Sequence, residues 1–198
     1  MIDDASGPTD ATAPAPDAAR LAREPTGLEI RELDLKGYRQ ALPDLVELTL
    51  DAVSAGASIN FLAEVTAAQA AAWWEARIGS VAAGQTSPFV AVLDGRVVGC
   101  ALLMRSANQN SPHRAEIAKV IVHRAARRCG VGRALMLAAE NRARADGRWM
   151  LVLDTVTGSA ADALYRSLGW HETGTVPDYA LNTAGQPEAA TFFWKHLR

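Results

Sequence analysis

Between Ala115 and Leu137 the chain reads A-E-I-A-K-V-I-V-H-R-A-A-R-R-C-G-V-G-R-A-L-M-L, and most of its chemically capable residues gather there or follow soon after. Arg124, Arg127, Arg128 and Arg133 place fixed positive charge around Gly130 and Gly132. Guanidinium forks match phosphate oxygens, and glycines let such a ligand approach the backbone. Cys129 lies in the same loop, where positive surroundings would lower a thiol pKa, and His123 is the nearest base. A nucleophilic pair is one reading of these two residues; a passive loop cysteine is the other. Glu116 and Asp154 are acids inside apolar runs, where a carboxylate is costly without a partner. Tyr165 adds a phenol that stays protonated at neutral pH. Anion binding and proton transfer are therefore the chemistry to be positioned.

The elements that would position it follow from the pattern. Ile117 to Val122 is an apolar run rich in β-branched residues, which favours a strand. A basic turn follows, and from Val131 the apolar residues Leu135, Ala138, Ala139 and Ala143 recur at helical spacing. The unit is strand, glycine loop, helix. The first amides of such a helix lack internal partners and lie at the positive end of its dipole, so they suit a polyphosphate. A plain strand-to-helix turn with solvated arginines is the alternative. A dinucleotide fingerprint G-x-G-x-x-G would want a third small residue where Leu135 stands, although Asp154 could serve as its ribose acid.

With 198 residues and a 49% apolar fraction, the chain suits one domain with a sizeable core. A net charge of -2 argues against a nucleic-acid-binding surface. Two cysteines, Cys100 and Cys129, are too few for a disulfide framework. No stretch has the length of a membrane span and the start lacks signal-peptide character, so a cytoplasmic protein is expected. Residues 1–25 are rich in Ala, Pro, Asp and Thr and read as a disordered tail before a domain over 26–198.

Within that domain, Leu28 to Leu33 reads as a short strand. A helix begins at Pro43, with Leu45, Val46, Thr49 and Val53 on one face and a looser turn around Tyr38 before it. Residues 54–61 form a loop whose Phe61 either walls a pocket or packs beneath it. Thr66 and Gln69 make a capping box for a helix carrying Ala70, Trp74, Ile78 and Val81 as far as Gly84. Asp94-Gly95 joins two strands as a hairpin. Trp149 to Leu153 forms a strand closing with Asp154-Thr155, and Ser159 caps a helix that Gly169 stops. Closing strands lie around Trp170 and Glu188 to His196, with Asp178 to Pro187 as a loop between them.

The pattern Arg-x-x-Gly-x-Gly, set by Arg127, Gly130 and Gly132, resembles the pyrophosphate loop of the GNAT N-acetyltransferases. A second signature of that family, A-x-x-L-Y-x-x-L-G followed by an aromatic, runs from Ala161 to Trp170 at the usual distance behind the loop. Within the superfamily the chain resembles the tabtoxin resistance acetyltransferases. That likeness rests on Gly56-Ala57-Ser58 with Phe61, Arg114-Ala115-Glu116, Leu153-Asp154-Thr155, Gly158-Ser159 and the Tyr179 loop. There are departures. His123-Arg124 stands where many relatives have proline, Arg128 replaces a frequent glycine, and Gly158 takes the place of a common asparagine.

The resemblance implies an α/β (α+β) fold with a mixed, mostly antiparallel sheet of six to seven strands flanked by about four helices. It implies acetyl-CoA as cosubstrate, held by Ile121, Val122, Arg127, Arg128, Cys129, Gly130, Val131, Gly132, Arg133, Ala134 and Ser159, and no metal. The backbone N–H of Val122 would hold the thioester carbonyl oxygen, and Tyr165 would protonate the departing thiolate. Asp154 is the expected base or acceptor-binding carboxylate, with Glu116 second; an ion pair of Glu116 with Arg114 or Lys119 is the structural alternative. Ser58, Phe61 and Tyr179 would line the place of a small-molecule primary amine, attacking directly, in self-protection against a toxin or antibiotic. Homodimerisation is a further expectation. An acyl-CoA-binding sensor without catalysis and a dinucleotide-dependent oxidoreductase are the competing readings.

Overall fold

The computed structural model describes residues 27–197, so the expected tail over residues 1–25 lies outside the described residues. The first half runs β1 (Glu29–Glu32), α1 (Leu35–Ser54), α2 (Ala67–Glu75), α3 (Ile78–Ala82), β2 (Thr86–Leu93) and β3 (Arg96–Arg105). The second runs β4 (Arg114–Val122), α4 (Val131–Ala145), β5 (Met150–Val156), α5 (Ala160–Ser167), β6 (His171–Leu181) and β7 (Pro187–His196). Seven strands form one sheet in the order β1-β2-β3-β4-β5-β7-β6. All neighbours are antiparallel except β4 and β5. No helix among the described residues is long and apolar enough to cross a membrane.

Each face of the sheet has its own core. On one side α4 and α5 cover the inner strands, burying Leu135, Met136, Ile117, Leu151, Leu153 and Phe193. On the other, α1 and α2 bury Tyr38, Leu45, Leu48, Trp74, Leu102 and Ile121. Side chains on one strand alternate between these faces. Glu140, 1% exposed, ties α4 to β7 and to Trp170: it accepts from Lys195 Nζ at 2.8 Å and from Trp170 Nε1 at 3.0 Å. Asp94 and Gly95 both have positive φ (51° and 78°), as a two-residue hairpin turn requires.

Four expectations need correction. The first long helix does not begin at Pro43 but at Leu35, capped by Asp34, whose side chain accepts from the Gly37 N–H. The carbonyl that the proline leaves without a donor belongs to Arg39, on the solvent side, where water can serve it. Continuing upstream buries Tyr38, whose hydroxyl donates to the Trp74 carbonyl at 2.8 Å. The capping box at Thr66 forms, but its helix ends at Glu75 and a separate turn, α3, carries Ile78 and Val81. Residues 178–181 are strand rather than loop: Ala180 pairs with Glu188 and Leu181 with Pro187, leaving only residues 182–186 as the turn. Tyr179 therefore stands on β6. Asp154 lies inside β5, opposite Phe192, rather than at the strand's end.

Candidate active site

The loop after β4 folds by a short helical turn, Arg124–Ala126, and then by two left-handed residues, Arg128 (φ 63°) and Gly130 (φ 80°). Gly130 caps α4. The first intrahelical bond is Ala134 N–H to Gly130 O, so the amides of Val131, Gly132 and Arg133 have no helical acceptor. Gly132 faces α5, where a Cβ would stand 3.1 Å from Leu164 Cδ2. Arg127, Arg128 and Arg133 are exposed and form no ion pair among the described residues. This donor set fits a pyrophosphate: free amides at a helix start, guanidinium groups without a carboxylate partner, and a glycine where the chain is crowded.

Other members of the expected set do not fit. Arg124 is turned away: it binds the Asp51 carboxylate through its backbone N–H at 2.9 Å and its Nε at 2.5 Å. Burial alone would raise the Asp51 carboxyl, but Arg124's hydrogen bonds, with His123 nearby, hold it below the usual range. His123 Nε2 also approaches Asp51, at 3.5 Å, while Cys129 Sγ lies against the Arg127 carbonyl, so the two are not a nucleophile–base pair. Ile121 is buried against α1 and Ala134's amide is spent inside the helix, leaving neither a polar group for a ligand. Ser159 Oγ is taken as the α5 cap by Asp162 N–H at 3.2 Å.

The opening beside this loop comes from strand geometry. β4 and β5 pair only over Arg114–Glu116 and Met150–Val152, then diverge. His123 N–H donates to Val98 on β3, so by alternation the polar groups of Val122 point the other way, toward the gap. The Val122 carbonyl there receives Arg127 Nε at 3.2 Å. Gly99 permits this crowding, since a Cβ on it would come within 2.9 Å of the Ile121 carbonyl.

Tyr165 reaches the gap from the α5 side. Its ring is buried against Phe193 and Trp170, and its hydroxyl has no hydrogen-bond partner among the described residues. Burial, and next the Asp154 charge, push its pKa up. Asp154 and Glu116 project from the opposite face of the sheet, sharing it with Val152 and Ala118. Solvent reaches both carboxylates, yet the protein crowding them raises both pKa values, and Asp154 raises Glu116 further. Lys119 opposes both shifts.

Lys119 was not among the expected site residues. Cys100 pairs with Ile121 and Leu102 with Ala118, so two residues of β4 oppose one of β3: a β-bulge, with Lys119 at φ 54°. The extra residue puts Lys119 on the same face as Ala118, where both line a cavity of about 250 Å³. Its Nζ bonds Asn60 Oδ1 and lies 4.8 Å from the Trp73 ring centre. Burial first, then Arg77's charge, lower the Lys119 pKa to about 8. Trp73 also carries the Arg77 guanidinium, 3.1 Å from its ring centre. Phe61 touches Trp73 edge-on at 6.3 Å, so it supports the cavity wall rather than forming it. Ser58 Oγ donates to the Leu181 carbonyl at 3.2 Å, fastening the α1–α2 loop to β6. Tyr179, half exposed, packs edge-on against Phe192 at 5.1 Å, beside Asp154.

The chain matches the acetyltransferase (GNAT) family over residues 54–170, and it belongs to that family. It is an N-acetyltransferase that depends on acetyl-CoA. Among solved structures, a GCN5-related N-acetyltransferase from Kribbella flavida is 27% identical, with a TM-score of 0.71 over 87% of this chain and 99% of that one. The ribosomal-protein-alanine N-acetyltransferase of Brucella melitensis is also 27% identical, at TM-score 0.67 over 85% and 99%. The structure of yncA from Salmonella typhimurium with its cofactor acetyl-CoA shares the fold at 24% identity and TM-score 0.69, over 87% and 95%.

Proposed function

We propose that the chain transfers the acetyl group to the primary amine of a small molecule by direct attack. The observation that carries this is the divergence of β4 and β5, which leaves Tyr165 on one side of a gap and Asp154 with Glu116 on the other. Acetyl-CoA supplies an activated thioester. The amides of Val131, Gly132 and Arg133 hold the pyrophosphate, with Arg127, Arg128 and Arg133 around it. The Val122 N–H faces the gap where the acyl oxygen gains charge, and a fixed donor there lowers the barrier. Tyr165, kept protonated by its raised pKa, donates a hydrogen bond to the leaving sulfur. Asp154 accepts the ammonium proton, directly or through water, and its raised pKa makes it a better base than an ordinary aspartate. Glu116 is the second candidate for that role.

The resemblance to tabtoxin resistance acetyltransferases supports a role in detoxifying an amine. The Brucella neighbour supports a second reading, a protein N-terminus as acceptor. Thiol release from acetyl-CoA, followed with panels of small amines and of short peptides, decides between them. Release with small amines, lost in Tyr165→Phe while acetyl-CoA still raises the melting temperature, is the expected result. Binding of acetyl-CoA without release to any acceptor would make the chain a sensor.

A further inference from the structure

We infer that the cavity between the α1–α2 loop, α2 and β4 holds an acceptor bearing a carboxylate as well as its amine, with Arg77 and Lys119 taking the carboxylate and Glu116 and Asp154 facing the ammonium. The inference rests on the proposed function and narrows its acceptor to amino-acid-like molecules.

The cavity carries both signs of charge. Arg77 and Lys119 line it and share the Trp73 ring. Neither has a carboxylate within 4.0 Å among the described residues. Arg77 Nη1 donates to the Trp73 carbonyl at 2.5 Å, a neutral partner that leaves the guanidinium charge uncompensated. Two cations on one ring in a half-buried place repel each other, and after burial itself the Arg77 charge depresses the Lys119 pKa. Glu116 lines the same cavity, and the charge of Asp154, beyond the lining, opposes its own. Lys119 feels both acids, yet neither comes within 4.0 Å of its ammonium among the described residues. Two pairs of like charges are costly features in one pocket. A zwitterion relieves both at once. A simple amine would leave the cations unpaired and be repelled by them, and a simple anion would offer no nucleophile. The volume of about 250 Å³ lies below the usual range for drug-sized ligands, about 300–1,000 Å³, and suits a small molecule.

The test compares L-amino acids with their carboxamides and with matching amines that lack the carboxylate, by initial rates of thiol release at saturating acetyl-CoA. Wild type should favour the acids in kcat/KM by about tenfold to a hundredfold, as a charge-assisted contact implies. That preference should collapse in Arg77→Gln and in Lys119→Met, chiefly through KM, and survive in Lys119→Arg. The wild-type KM for the acids should rise above about pH 8 as Lys119 loses its proton, a rise that Lys119→Arg removes. Arg77, Glu116, Asp154 and the buried Cys100 thiol are the other titratable groups facing Lys119, and Cys100, raised to about 12 by burial, stays neutral through this range. Thermal shift with acetyl-CoA checks that each variant is folded. Equal rates with acids and carboxamides would overturn the inference and leave the small-amine function standing. Release with peptides alone would overturn both.

Discussion

The α4–α5 side of the gap is made from regular elements, whereas the α1–α2 side is made from exceptions to them. On the donor side the ligand meets backbone amides at a helix start, a glycine loop and a tyrosine set by helical phase. On the acceptor side it meets a bulged lysine, a loop asparagine in a left-handed conformation, and a tryptophan carrying two cations. The donor face can serve one unvarying cosubstrate because amides at a helix start are the same whatever the neighbouring side chains. The acceptor face depends on side chains that a few substitutions would redirect. A scaffold divided in this way keeps one half of a reaction constant while the other half changes.

The strongest test of that division is Gly132→Glu. It places a carboxylate where the pyrophosphate belongs and a Cβ 3.1 Å from Leu164. The acetyl-CoA-induced thermal shift should vanish and kcat/KM for acetyl-CoA should fall at least about a hundredfold. Gly132→Ala adds the crowding without the charge and should cost far less; a comparable loss would mean that space, not anion binding, is what the loop provides. Next in size is Tyr165→Phe. It removes a hydroxyl that has no partner among the described residues, so folding should be unaffected while kcat drops about a hundred- to ten-thousand-fold. Unchanged kcat would remove Tyr165 from the chemistry.

The same division explains what could be read from the residues. Gly130 and Gly132 at the head of an apolar helical pattern announce the phosphate loop because helix starts depend on local spacing. Tyr165 shares a helical phase with Leu168 for the same reason. Lys119 could not be placed. Strict alternation puts it with Ile117 on the α4 face, and only the bulge moves it to the other. Arg124 looked like a phosphate ligand, but its carboxylate, Asp51, is 73 residues away in sequence. Arg77 and Trp73 lie beside a core residue, Trp74, and no local pattern marks their shared stacking. Tyr179 reads as loop in the sequence because Pro177 and Asp178 precede it, and the β6–β7 pairing resumes beyond them only after an irregularity.

A smaller effect sharpens the acceptor side. Asp154→Asn should lower kcat by about a hundredfold, with acetyl-CoA binding retained. In wild type the fall of kcat/KM toward acid should be centred above the ordinary aspartate value, because crowding by the protein raises the carboxyl and Lys119 only partly offsets it. Asp154 must be ionised to take a proton, so activity is lost as pH falls through that raised value. Lys119→Met removes the offsetting cation and should move the limb to still higher pH. A shift toward acid would show that the titrating base is another group.

The smallest effect expected is that of Ser58→Ala, and its size matters to the comparison. The Ser58 hydroxyl is one fastening of the α1–α2 loop to the β6–β7 end, at 3.2 Å from the Leu181 carbonyl. A second fastening, Ala63 N–H to the Thr183 carbonyl at 2.9 Å, is backbone to backbone and survives the substitution. An exposed neutral hydrogen bond contributes about 0.5–1.5 kcal/mol, and the surviving bond limits how far the loop can depart. KM for the acceptor should therefore rise no more than about threefold, with kcat and the acetyl-CoA thermal shift unaltered. A tenfold or larger rise would mean that the loop is held in place by Ser58 alone. Asn60 and the Lys119 ammonium it binds would then be set by one hydroxyl, and the acceptor face would owe its shape to the β6–β7 hairpin rather than to the bulge in β4.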